Sequence, residues 1–342
     1  MDRSQALKHL TTRLPSVFAG CCSQAQIPFQ IVDLGAGIYG SHLNGSLLAS
    51  TDDSDALILL AGFRDRADVF AFEARPDKAE ELRQEAQRRS STAQHAPTHL
   101  HVFAMGASES SGQLRFANCG GRTNWMVLTN NTTPEAGCEV KYTIPVRSLD
   151  EMAQSGLFQN RSLAYVKVDV EGGEVDVAKG MRRMLMEQQV ELMSFEYAKN
   201  WNADLFHHRQ KGNKRLRDLS VLDHDASVKE RTLEQFQKLM DAAGYDTYLM
   251  HGKSPEDGRL EGKQAGIHGE PTAARVVTAV PVYGRFFSRR DFEICLRRHH
   301  FKQPFCWNDL LVIRRGNIEL KRRLLQELHG GRDDPFPGCD CI

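Results

Sequence analysis

Apolar positions along the chain come in short blocks set between polar and glycine-rich stretches. Phe29-Gln30-Ile31-Val32-Asp33-Leu34 is a nearly continuous apolar run closed by Gly35-Ala36-Gly37, which predicts a buried strand running into a glycine turn. Val69 to Glu73 is a second run of this kind. It ends at Ala74-Arg75-Pro76-Asp77, and residues 77–89, rich in Ala, Glu, Lys, Gln and Arg, predict a helix that starts after the proline. His101 to Met105 reads as a short strand and Gln113 to Phe116 as its return, with residues 118–137 as loop and Lys141 to Val146 alternating like an edge strand. Leu163 to Val170 and Val190 to Tyr197 predict further buried strands, with a helix over 175–188 between them. Thr232 to Ala243 predicts a helix stopped by Gly244, and Tyr245 to Met250 and Asp309 to Ile313 two last strands. Strands alternating with helices imply a mostly parallel sheet covered on both faces.

Composition narrows the class. The 342 residues are 41% hydrophobic and 26% charged, the balance of a globular protein. Lys plus Arg equals Asp plus Glu at 44 each, which gives no chain-wide footprint for nucleic acid or anionic membrane. The longest apolar stretch, Leu57 to Phe63, is far too short to span a bilayer, so no membrane span is expected. The N-terminal residues lack the continuous apolar core of a secretory signal, and the eight cysteines show no repeated C-x-x-C framework. A cytoplasmic protein with reduced thiols is the expectation.

Gly35-x-Gly37-x-x-Gly40 after a strand has the spacing of a loop that brings backbone N–H groups close to a ligand. Asp33, two residues before the first glycine, would repel a pyrophosphate there but accept hydrogen bonds from an ammonium. S-adenosylmethionine has that ammonium and no phosphates. Glu73, at the end of the second strand, is placed to accept from both hydroxyls of a ribose, which suits a nicotinamide dinucleotide equally well.

Val32-Asp33-Leu34-Gly35-Ala36-Gly37, Phe72-Glu73-Ala74-Arg75-Pro76, Tyr165-Val166-Lys167-Val168-Asp169-Val170-Glu171-Gly172-Gly173-Glu174 and Phe195-Glu196-Tyr197 together resemble the FkbM-type family of S-adenosylmethionine-dependent methyltransferases. The resemblance covers roughly residues 29–200. It implies a class I methyltransferase (Rossmann-like) α/β fold, with a seven-stranded sheet that is mostly parallel, an antiparallel last strand and helices on both faces. The chain then divides into a helical lead-in at 1–28, a methyltransferase domain at 29–316 with its core at 29–200 and an inserted polar loop at about 251–276, and a tail at 317–342. From Gly37 to Glu73 there are 73 − 37 = 36 residues, more than the roughly 20 such a unit needs, so the polar residues 44–55 read as an insertion.

On this reading S-adenosyl-L-methionine is the cofactor, met by Asp33, Gly35, Gly37, Glu73, Gly106 and Ala107. Asp169 and Glu171, two apart on an extended segment, share one side and are the candidates to bind the acceptor and take its proton. Glu196, Tyr197 and Trp125 are weaker candidates for substrate contact. Glu174 opens the following helix, where an acid suits the helix dipole. No His or Cys pair has metal-ligand spacing, and no metal is predicted. The expected reaction is O-methylation of a hydroxyl on a small molecule or glycan. The alternatives are a nicotinamide-dependent oxidoreductase using the glycine loop, and an RNA-binding or RNA-modifying methyltransferase using Arg285 to Arg323, where 11 basic residues face 4 acidic ones. A basic edge to a substrate pocket, or a solvated face, is the favoured reading of that segment.

Overall fold

The computed structural model describes residues 4–21, 28–37, 54–63, 66–92, 99–118, 125–128, 138–170, 173–197, 233–252, 277–281 and 308–328. They fall into two compact units, Gln26–Val190 and a second made of Met1–Ala25 with Glu191–Ile342. Among the described residues no helix is long and apolar enough to cross a membrane.

Helix α1 (Ser4–Cys21) belongs to the second unit; the first begins with β1 (Phe29–Leu34). Then come α2 (Asp55–Phe63), β2 (Ala67–Phe72), α3 (Pro76–Thr92) and β3 (Leu100–Phe103). With β8 (Leu163–Val168) the strands lie in the order β8-β1-β2-β3, all parallel. Every residue of β1 and β8 is buried, because a central parallel strand is covered on both faces and must be apolar throughout. Gln30, Asp33 and Lys167 break that rule, and Asp33 is the register partner of Lys167. Helix α3 buries Ala79, Leu82 and Ala86, one stripe at helical spacing, and leaves its charges outside.

Between β3 and β8 the chain builds a second sheet from β4 (Gly106–Ala107), β5 (Gly112–Asn118), β6 (Trp125–Leu128) and β7 (Glu139–Arg147), in the order β4-β7-β5-β6. Two expectations change here. The stretch expected as loop contains β6, and the expected edge strand, β7, is internal: it runs parallel to β4 and antiparallel to β5. Cys138, just before β7, is disulfide-bonded, so the expectation of reduced thiols fails at this residue.

Helix α4 (Leu149–Gln154) starts with a reciprocal cap, in which Ser148 Oγ accepts from Glu151 N and Glu151 Oε2 accepts from Ser148 N. The helix expected over 175–188 is two helices, α5 (Glu174–Gly180) and α6 (Arg182–Met186), broken at Met181. Gly180 is the reason for close packing there, since a Cβ on it would lie 2.0 Å from Ser108 O.

The second unit holds α1, β9 (Val190–Tyr197), α7 (Leu233–Ala242), β10 (Tyr245–Gly252), β11 (Val277–Pro281), β12 (Asn308–Arg314) and α8 (Ile318–Leu328). Strand β12 lies between β9 and β10 and is antiparallel to both, as expected of the last strand. Strand β11, antiparallel to β10, is additional to the seven expected strands, which are β1, β2, β3, β8, β9, β10 and β12. Gly244, at φ +84, turns the chain from α7 into β10. Leu10, Leu14, Val17 and Phe18 of α1 are buried, as are Leu320, Leu324 and Leu328 of α8, and the two helices pack together. The segment expected as a tail therefore contains a structured helix.

Candidate functional site

Three loops at the carboxyl ends of β1, β2 and β8 meet through backbone contacts. Gly35 N and Ala36 N both donate to Phe72 O, at 2.9 and 3.2 Å, and Asp169 N donates to Leu34 O at 3.0 Å. Gly35 sits at φ +82, and a Cβ on it would lie 1.8 Å from Asp169 O. Both the backbone conformation and the missing side chain require glycine at this position. Gly37 serves a different contact, since its Cβ would lie 2.6 Å from Glu73 Oε2. Ser54 Oγ donates to Ala36 O at 3.2 Å and ties the start of α2 to the same turn. Gly40 lies outside the described residues.

Glu73 is held at both ends. Its N–H donates to Phe103 O at 3.0 Å, and its Oε1 accepts from Arg75 N at 2.8 Å. Burial pushes its pKa up, against the lowering effect of the Arg75 N–H and of the Arg75 and Lys167 cations.

Asp33 is not the open carboxylate that its position suggests. It is 0% exposed, and its Oδ1 accepts from Lys167 Nζ at 3.1 Å. Its Oδ2 has no hydrogen-bond partner among the described residues. The same ammonium lies 3.1 Å from Asp55 Oδ2 and 3.9 Å from Asp169 Oδ2. One buried cation is thus shared by acids from β1, α2 and the end of β8. Burial pushes Asp33 up to about 6; Lys167 opposes the shift, and Asp55 and Asp169 add to it. Lys167 and Asp55 carried no role in the sequence reading, and Asp55 stood within the supposed insertion. A lone lysine inside an apolar strand was the signal for the first, because such a charge requires an anion beside it.

The remaining candidates are placed as follows. Asp169 is half-buried beside this cluster, whereas Glu171 lies outside the described residues. Glu174 is 0% exposed, and its Oε1 accepts from Val170 N at 3.0 Å, closing the loop after β8 onto α5. Gly106 and Ala107, expected in a ligand-contacting turn, form β4 and pair with Val146 and Arg147. A Cβ on Gly106 would lie 3.0 Å from Val146 Cγ1, so this glycine serves the packing of the second sheet. Glu196 is 3% exposed in β9 of the second unit, opposite Asp309 of β12. Tyr197 ends β9 and Trp125 begins β6; their side chains are outside the described set. In the basic segment, residues 285–302 lie outside the described residues. Arg314 pairs with Glu191, Arg315 with Asp241 and Asp246, Lys321 with Asp246, and Arg322 and Arg323 with Glu319.

Residues 59–216, which include Glu73 and the whole Lys167 to Glu174 stretch, match the family described as Methyltransferase FkbM domain. That match covers less than half of the chain, and shows what this stretch is similar to. Hexuronic acid methyltransferase AglP of Haloferax volcanii is 34% identical over 120 residues, which are 35% of this chain and 44% of that protein. The match therefore spans less than half the length of this relative. Among solved structures, methyltransferase FkbM from Methylobacillus flagellatus KT overlaps with a TM-score of 0.30 at 18% identity, covering 57% of this chain and 44% of the other. The plantazolicin methyltransferase BpumL in complex with SAH overlaps with a TM-score of 0.32 at 8% identity, covering 91% and 84%. Overlaps of that size leave the fold to be read from the strand order itself.

Proposed function

We propose that the protein is an S-adenosylmethionine-dependent methyltransferase acting on a hydroxyl of a small molecule or glycan. The observation that carries the reading is the Gly35–Gly37 turn closed against Glu73 and Asp169 at the carboxyl ends of three parallel strands, in a chain whose residues 59–216 match the FkbM methyltransferase domain. Ligands of open α/β sheets bind at such ends. The residues suit this donor. Gly37 leaves the Glu73 carboxylate room that any side chain would fill, and Asp33 keeps a buried oxygen unpartnered among the described residues.

S-adenosylmethionine supplies a methyl carbon on a sulfonium, which passes to the acceptor oxygen as the carbon–sulfur bond breaks. Glu73 takes the ribose hydroxyls, and Asp169, with Asp33 behind it, faces the ammonium end. Gly35 and Gly37 let the backbone approach, and Gly106 and Ala107 border the adenine side. Asp169 and Glu171 orient the acceptor hydroxyl and accept its proton, which places the oxygen for in-line attack. Glu196, Tyr197 and Trp125 remain candidates for contact with the acceptor by residue type. A hexuronic acid or related sugar is the acceptor class favoured by the AglP similarity.

Calorimetry with S-adenosylhomocysteine tests the donor. Native protein binds it, and Glu73→Ala weakens binding at least tenfold; no binding, or undiminished binding by the variant, refutes the proposal. Transfer of label from methyl-tritiated S-adenosylmethionine to hexuronic-acid oligosaccharides tests the acceptor, and labelling of neutral sugars alone would remove that part.

A further inference from the structure

Lys167 has no role in the proposed function, yet this side chain, 2% exposed, lies beside acids from three elements. Resting on the donor-site reading above, we propose that Lys167 is a positioning residue: its ammonium ties Asp33, Asp55 and Asp169 into one cluster and so fixes the anionic wall against which the donor's ammonium is bound.

The geometry supports division of labour within the cluster. Asp33 is 0% exposed and is the inner counter-ion of Lys167, whereas the Asp55 and Asp169 side chains keep 20% and 16% exposure and lie on the solvent side. The three acids come from β1, the first turn of α2 and the end of β8, elements whose relative placement defines the Gly35 turn. Without the cation, a carboxylate as deeply buried as Asp33 holds its proton to higher pH, and two acids lose the group that spaces them. Asp33 already sits at about 6, raised by its burial, with Lys167 lowering it and Asp55 and Asp169 raising it. Burial also raises the pKa of Glu73, just after β2, and Lys167 is among the groups that oppose that rise. When Asp33 takes a proton, the attraction of Lys167 is left to Asp55 and Asp169, and their hold on an incoming ammonium weakens.

Two variants move the system in opposite directions. Lys167→Met raises the titration midpoint of Asp33, and Asp55→Asn lowers it, because one removes an attracting cation and the other a repelling anion. The midpoint is read without ligand by carbon NMR of Asp-labelled protein, alongside the S-adenosylhomocysteine dissociation constant between pH 5 and 8. Native affinity falls as pH drops through about 6. Lys167→Met binds at least tenfold more weakly at pH 7, with the fall moved to higher pH; Lys167→Arg restores both the affinity and the midpoint. Weakening that is uniform across pH and not rescued by Arg means a purely structural lysine and overturns the inference. If Lys167→Met does not fold, Asp55→Asn decides: no downward movement of the Asp33 midpoint overturns it. If native protein does not bind S-adenosylhomocysteine, the donor reading fails by itself, and the NMR midpoints still test whether Lys167 couples the acids.

Discussion

Gly35→Ala perturbs the point where two loops of the site share backbone. The position is at φ +82, a conformation that costs an L-residue about 1–2 kcal/mol. The new Cβ would also lie 1.8 Å from Asp169 O, so one of the loops must move by more than 1 Å before contact becomes tolerable. Overpacking of that kind costs about 1–3 kcal/mol, which brings the total to about 2–5 kcal/mol. Gly156 supplies the control, because it has a similar φ of +79 and nothing within 4 Å of its would-be Cβ. Gly156→Ala therefore shows the conformational cost alone, about 1–2 kcal/mol. At about 2–4 °C per kcal/mol for a unit of this size, Gly35→Ala lowers Tm by about 4–20 °C and Gly156→Ala by much less. Urea denaturation and calorimetric melting of the two variants measure the difference. If Gly35→Ala is no more destabilising than Gly156→Ala, the close approach of the Gly35 turn to the β8 loop is wrong.

Gly37→Ala meets only the tip of the Glu73 side chain, at 2.6 Å, so stability changes by less than about 1 kcal/mol while S-adenosylhomocysteine affinity falls at least tenfold in calorimetry. Asp33 keeps its proton in the fold to about 6 but releases it near 3.8 when unfolded, so its contribution to stability is present below 3.8 and is lost as pH rises through 6. The native-minus-Asp33→Asn difference in urea stability accordingly declines across pH 4–6, by up to about 1.4 kcal/mol per pH unit; a flat difference contradicts the burial of this acid. Glu191, 2% exposed, accepts from Arg314 Nε and Asn317 Nδ2, each at 2.8 Å, and Glu191→Ala destabilises by about 2–4 kcal/mol in the same assay. Glu319→Ala, which breaks the pairs with Arg322 and Arg323 on the surface of α8, stays within about 1 kcal/mol.

Strands buried on both faces announced themselves in the sequence, because β1, β2, β8 and β9 are apolar along most of their length and the glycine turn marks where β1 stops. The second sheet was less legible. Strand β7 alternates as any half-exposed strand does, and nothing in that period says whether one neighbour or two will pair with it; β4 is only two residues long. The placement of Gly35, Glu73 and Asp169 directly after β1, β2 and β8 was legible because each follows an apolar run, and their contact with a ligand is part of the proposal. The state of Asp33 was not, since its partner Lys167 is 134 residues away and their pairing follows from the β1–β8 register alone. Residue type alone cannot separate an acid that meets a ligand from one that meets a buried lysine.

The account turns on where a donor molecule would sit. A crystal structure of the protein soaked with S-adenosylhomocysteine tests this most directly. The predicted result is density at the carboxyl ends of β1, β2 and β8, with the ribose on Glu73 and the amino-acid end against the Gly35 turn on the side of Asp169. Density at any other place on the chain, or at this place with the ribose away from Glu73, would contradict it.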